Sequence, residues 1–273
     1  MKILVLGGHG MAGHVIVEYM KGCGHEVSYT VRKEDPLGIR LDVRDLDSVR
    51  KVLSEQSADI VINATGLLND YAETHVMESV QVNSLLPHAL VGMINEYGGK
   101  LIHISTDCVF SGEKGRYTEH DVKDGTNIYS KSKSLGEIDA PPHLTVRTSI
   151  IGPELKKDGI GLLHWFLQQK GRINGYQNVF WNGVTTLELA KAIHSFITNG
   201  VSGLYHLSVD QKISKYDLLL LFKEIFGNNG VVIIPVAKPV HDKTLLHTRN
   251  DYKYSVPGYK EMLLELRDWM KGR

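Results

Sequence analysis

Short unbroken apolar runs alternate along this chain with stretches whose apolar residues recur every three or four positions. Ile3 to Leu6, Ile60 to Ile62 and Leu101 to Ile104 have the character of strands buried on both faces of a parallel sheet. His25–Val31, Ile39–Val43 and His143–Arg147 add further strands. Val15, Ile16, Tyr19 and Met20 put one apolar face on a helix directly after the first run. Val49, Val52 and Leu53 do the same for a second helix, with Asp45 or Ser48 as its cap. A longer helix is expected from about Glu73 to Tyr97, interrupted near Pro87, and another opens at Asn127. Strands that alternate with helices in this way predict an α/β fold built on a doubly wound parallel sheet.

The first strand runs straight into Gly7, Gly8, Gly10 and Gly13. Gly8, Gly10 and Gly13 fit G-x-G-x-x-G, and strand and helix flank it as a dinucleotide site requires. Glycines let the backbone approach a pyrophosphate, and the helix N-terminus offers N–H groups and positive dipole to its charge. The sheet is therefore expected to be of Rossmann type. The second strand ends in Thr30-Val31-Arg32-Lys33, where an acidic residue would hold the ribose of NAD. A guanidinium there suits a 2′-phosphate, so NADP(H) is favoured. Glu34 and Asp35 close by keep NAD(H) as the alternative. Asp42, at the end of the third strand, either accepts from an adenine amino group or caps its turn. The small residues Ala64, Thr65 and Gly66 leave room for ribose and pyrophosphate.

After Ile150 the pattern changes. Helices are expected at 159–170, 185–197, 214–226 and 259–270, with short extended pieces at 179–184, 204–207 and 231–234. No second glycine fingerprint appears. The chain is thus expected to divide into a dinucleotide-binding domain, 1–150, and a smaller α+β substrate lobe, 151–273, with helix 185–198 packing back on the sheet.

Composition narrows the function classes. The 273 residues are 42% hydrophobic, enough for a sizeable core. Thirty-one basic residues balance 31 acidic ones, so no nucleic-acid or membrane partner is expected. Two cysteines cannot form a disulfide framework, and the 13 histidines show no ligand spacing, so no metal is expected. No apolar run approaches the roughly 18 residues of a membrane span, and a cytoplasmic protein is expected.

The chemistry is expected where the strand 100–110 ends, at Ser105-Thr106-Asp107, because ligands of such sheets lie beyond the carboxyl ends of strands. Tyr129 and Lys133, four apart on a helix, share a face. An unperturbed tyrosine ionises near pH 10. A cation about 6 Å away favours its phenolate by about 3 kcal/mol at an effective dielectric near 20. The phenol would then exchange protons near neutrality, while Thr106, or Ser105 in its place, binds the substrate oxygen. Ser111 to Thr126 is polar and glycine-rich, a surface loop and candidate lid.

This order of motifs resembles the extended short-chain dehydrogenase/reductase family. Within it, residues 105–112 (Ser-Thr-Asp-Cys-Val-Phe-Ser-Gly), 128–137 (Ile-Tyr-Ser-Lys-Ser-Lys-Ser-Leu-Gly-Glu) and 147–149 (Arg-Thr-Ser) resemble the dTDP-4-dehydrorhamnose reductase branch. The resemblance implies NADPH-dependent reduction of the 4-keto group of a nucleotide-linked 6-deoxy-hexose, with Thr106, Tyr129 and Lys133 catalytic. It also implies cofactor contacts from Gly7, Gly10, Gly13, Arg32, Asp42, the 64–66 turn, Tyr129 and Lys133. His9 and Met11 in the glycine turn, and Val43 beside Asp42, join that set. Ser105, Thr106, Cys108, Tyr129 and Trp181 would face the sugar. Departures from the branch gather there: Cys108 stands for a usual tyrosine, Ile150 for a frequent tryptophan, and Trp181-Asn182-Gly183-Val184-Thr185 for a Gly-Ala-Pro-Thr segment. The sugar and its nucleotide, dTDP or UDP, therefore stay open, and a homodimer is compatible. The alternatives are an NADP-binding regulatory subunit like that of methionine adenosyltransferase, and a nucleotide-sugar epimerase.

Overall fold

Residues 1–272 are described by a computed structural model. Seven parallel strands form the central sheet, in the spatial order Gly203–His206, Leu144–Thr148, Lys100–Thr106, Ile60–Asn63, Lys2–Leu6, Glu26–Val31 and Ile39–Arg40. Alternation of side chains splits the first apolar run between the two faces. Ile3 and Val5 join Val15, Ile16, Met20, Ile62 and Ile102 on one side. Leu4 and Leu6 join Val49, Leu53, Val61, Leu90 and Leu101 on the other. The chain winds outward from the first strand through the next two, then crosses back to lay Ile60–Asn63 along its other edge. That reversal opens a crevice beyond the carboxyl ends of Lys2–Leu6 and Ile60–Asn63.

Several elements differ from expectation. The 73–97 stretch is broken at His75, between the helices Asn69–Thr74 and Val76–Ser79. It then widens into a π-helical turn at Val80–Leu85 before the helix Leu86–Asn95. Pro87 is the second residue of that helix, so the departure from regular α-helix falls directly before it, as expected. The strand expected to reach Phe110 stops at Thr106. There the Thr106 hydroxyl accepts the Cys108 N–H at 3.1 Å and starts a 3₁₀ turn.

The second half returns to the sheet. Thr185 caps the helix Thr186–Thr198 by accepting the Glu188 N–H, and this helix lies along the helix Gly13–Gly22. The strand Gly203–His206 then pairs with Leu144–Thr148. The sheet thus takes its seventh strand from beyond residue 150. The remainder is built from small pairings. Gly171–Tyr176 runs parallel to Val231–Val236, and Val179–Trp181 lies between Ile213–Ser214 and His241–Asp242. The expected helix 159–170 spans only Leu162–Gln168.

The 111–126 segment is tied down instead of forming a free lid. Phe110 and Tyr117 are buried and stack at 4.2 Å. Tyr117 exchanges backbone hydrogen bonds with Thr244 and Leu246, and Asp242 N–H reaches Gly112 O. Among the described residues, no helix is long and apolar enough to cross a membrane.

Candidate active site

The glycine turn is shaped by backbone contacts that side chains would prevent. Gly7 has φ +83° and donates its N–H to Thr30 Oγ1 at 3.2 Å. Gly8 donates to Thr30 O, and Gly10 to Gly7 O, both at 2.9 Å. A Cβ on Gly13 would stand 2.1 Å from Gly7 O, so only glycine fits where the helix passes under the turn. No side chain caps the helix Gly13–Gly22, whose N-cap is Ala12. Its first turn therefore presents N–H groups and positive dipole without a resident anion, the arrangement that suits a pyrophosphate. Thr65 closes the opposite wall, its methyl 3.1 Å from where a Gly7 Cβ would lie. Ala64 and Gly66 flank it. The Met11 sulfur reaches over to Gly161 of the second half.

At the edge of the crevice, Arg32 is exposed just past Glu26–Val31. The Asp42 carboxylate is engaged by Arg44, which donates from Nε at 2.9 Å and Nη2 at 2.6 Å as well as from its backbone N–H. Arg44, with a smaller contribution from Arg32, holds that carboxyl below its ordinary range. Val43 is half-buried beside it. His9 pairs with Asp35 at 2.7 Å, and Asp35 also accepts the N–H groups of Leu37 and Gly38. Asp35 is thereby fixed in its own turn.

The expected catalytic residues come together at the carboxyl end of Lys100–Thr106. Asn127 caps the helix Ile128–Leu135 by accepting the Ser130 N–H at 2.7 Å, which sets Tyr129 and Lys133 on its inner face. Tyr129 is 8%, Lys133 3% and Thr106 8% exposed. Asn83 braces this helix from the π-helical turn. It donates to Ser132 Oγ and Leu67 O and accepts from Leu67 N–H. Ser105 faces away: its hydroxyl donates to Glu137 at 2.7 Å, beside the buried Glu137–Arg147 ion pair, also 2.7 Å.

The electrostatics correct one expectation. Burial, with Cys108 and Asp107, raises the Tyr129 phenol well above its ordinary range, against an opposing hydrogen bond from Thr106. Lys133 shares the helix face of Tyr129. Its Nζ is drawn aside to Ile104 O at 2.7 Å and lies 3.3 Å from His103 Nε2. Burial pushes Lys133 itself down to about 8, against the pull of Glu137.

The second half closes the site with charge. Lys215, first residue of the helix Lys215–Phe226, lies over the buried Trp181 ring at 5.3 Å. Burial pushes this lysine down to about 8, while Asp107 and Cys108 pull it up. Burial raises Asp107, and Lys243 and Lys215 oppose that. The Cys108 thiol is pushed up to about 11 by burial and by Asp107, so it stays a thiol at neutral pH. Other basic residues of this half are engaged or exposed elsewhere. Lys238 is exposed, His247 pairs with Glu119 at 3.2 Å, and Arg249 binds Asp251 and Ser202 O. No local motif marks Lys215 or Lys243; only the tertiary fold brings them to Asp107. Among the described residues, no three His, Cys, Asp or Glu side chains gather as metal ligands do.

The chain is similar to known proteins over most of its length. The family model for the RmlD substrate binding domain matches residues 1–247. Methionine adenosyltransferase 2 subunit beta of Danio rerio is 25% identical over 259 residues, covering 87% of this chain and 77% of that one. The dTDP-4-dehydrorhamnose reductase of Mycolicibacterium smegmatis is 26% identical over 282 residues, covering 99% and 83%. The crystal structure of dTDP-4-dehydrorhamnose reductase from Bacillus anthracis in complex with NADP superposes with a TM-score of 0.84 at 20% identity, covering 99% of both chains. At that identity the likeness speaks for the fold.

Proposed function

The chain belongs to the RmlD substrate binding domain family, and on that premise we propose that it is an NADP(H)-dependent reductase of a nucleotide-diphosphate 4-keto-6-deoxy-hexose. Such a reaction serves the building of deoxysugars for cell-surface polysaccharides. The observation that carries this reading is the burial of Thr106, Tyr129 and Lys133 at one strand end beside a glycine turn fit for a pyrophosphate. The turn at Gly7, Gly10 and Gly13 would hold the diphosphate, lined by His9 and Met11. Arg32 would meet the 2′-phosphate, Asp42 and Val43 the adenine side, and Ala64, Thr65 and Gly66 the inner wall. Lys133 would bind the nicotinamide ribose.

When bound, the reduced nicotinamide supplies a hydride. Tyr129 supplies the proton, from its phenol to the ketone oxygen. An acid must arrive protonated, as a tyrosine phenol whose ordinary value lies near 10 does at neutral pH. The Thr106 hydroxyl, which donates to Asp107 in the structure, would turn to donate to the same oxygen as charge develops there. Cys108 and, from the second half, Trp181 would contact the sugar, and Lys215 and Lys243 would face the nucleotide's diphosphate. A 4,6-elimination would need a second carboxylate beside Asp107, where Cys108 stands.

The test is loss of nicotinamide absorbance on mixing the protein and NADPH with a panel of dTDP- and UDP-linked 4-keto sugars. Turnover of at least one supports the reading. NADPH binding without turnover on any, with co-purification of a partner enzyme, supports a regulatory subunit instead, the reading that the similarity to methionine adenosyltransferase 2 subunit beta favours.

A further inference from the structure

Behind Lys133 lies a buried chain of polar groups that the proposed reaction does not use. Asn63 and His103 are both 0% exposed, at facing positions on neighbouring strands. The Thr65 N–H and hydroxyl donate to Asn63 Oδ1 at 3.1 and 2.6 Å. Asn63 Nδ2 lies 3.2 Å from His103 Nδ1, and His103 Nε2 lies 3.3 Å from Lys133 Nζ.

Donors and acceptors along this chain can be assigned by exclusion. The Thr65 backbone N–H can only donate, so the Asn63 oxygen faces it. The Asn63 amide group must then donate to His103 Nδ1, which therefore carries the lone pair. The proton of the neutral imidazole is left on Nε2, aimed at Lys133. An ammonium there would set donor against donor. An amine accepts from His103 Nε2–H with its lone pair and still donates to Ile104 O at 2.7 Å.

We propose that Asn63 and His103 are positioning residues that set the protonation state of Lys133, favouring its neutral amine. The inference rests on Lys133 belonging to the active site, as read above. The surroundings agree. Burial keeps His103 neutral, and burial lowers Lys133. Glu137, just past the end of the Lys133 helix, pulls the other way, but its charge is shared with Arg147 and Lys123. His88 faces His103 from the helix Leu86–Asn95.

The test uses the full chain without added cofactor. Long-range nitrogen–proton NMR reads the His103 tautomer, assigned by its loss in His103→Gln, and the Lys133 Nζ signal reads its titration. We expect the Nε2–H tautomer. In Asn63→Asp, a carboxylate accepts from both sides, so His103 should switch to Nδ1–H. The Lys133 midpoint should then rise by about one pH unit or more. An Nδ1–H tautomer in the unmodified protein, or an Asn63→Asp protein that changes neither signal, overturns the proposal. Should Asn63→Asp fail to fold, the tautomer of the unmodified protein decides alone. These readouts do not depend on turnover, so they stand apart from a failure of the reductase reading.

Discussion

The two ends of the crevice are built by different means. At the nucleotide end, neighbours in sequence do the work: a strand, four glycines and a helix start within 13 residues, braced by Thr30 and Thr65. At the sugar end, Asp107 meets Lys215 and Lys243 across more than 100 positions of chain, and Trp181 lies beneath Lys215. Backbone geometry specifies the first end, and buried charge specifies the second. A binding surface of backbone tolerates little change in side chains, whereas one of buried charges can be retuned by single substitutions. The departures at Cys108 and Trp181 both fall at the second end.

The seam between the ends should show the largest effect. Tyr129→Phe should lower kcat by about 10²–10⁴-fold with NADPH affinity little changed, measured by steady-state kinetics and fluorescence titration. Next comes a break at the nucleotide end. Gly13→Ala drives a methyl into Gly7 O and should cost about 1–3 kcal/mol of stability, read as a lowered Tm, together with NADPH binding. Two smaller changes sharpen the contrast. Lys215→Met should raise KM for the sugar nucleotide about tenfold and leave the NADPH Kd alone. Arg32→Ala should weaken NADPH about tenfold, spare NADH and leave the sugar KM alone. If either variant moved both constants alike, the two ends would not be separate.

The smallest effect concerns the join between the 111–126 segment and the second half. Glu119 accepts the N–H and hydroxyl of Thr248 and pairs with His247. Against the cost of burial, these partners hold its carboxyl down to about 2. A carboxyl lowered on folding adds stability above its unfolded value, near 4.3, and loses it as pH falls through the folded one. Acid unfolding should therefore gain steepness between about pH 4 and 2, and Glu119→Gln should flatten that part of the curve.

What could be read from the sequence follows the same division. The central strands and the glycine turn were legible because apolar runs and glycine spacing are local signals. So was the grouping of Thr106, Tyr129 and Lys133, which needs only a strand end and one helical turn. The ionisation at that site was not legible. Helical spacing brings Lys133 to the face of Tyr129, but Ile104 O and His103 decide where its Nζ goes. Gly171–Tyr176 escaped notice because Arg-Ile-Asn-Gly has little apolar character, and its partner strand lies 60 residues on. The break of the 73–97 helix at His75 has no proline or glycine to announce it.

The most direct test of the central claim is to follow a deuteron. NADPH labelled at the transferable C4 position is given to the protein with a 4-keto-6-deoxy sugar nucleotide, and the product is read by NMR. The account predicts one deuteron at sugar C4, transferred at a rate that collapses in Tyr129→Phe. A product with no deuterium at C4, or undiminished transfer without the phenol, would contradict it.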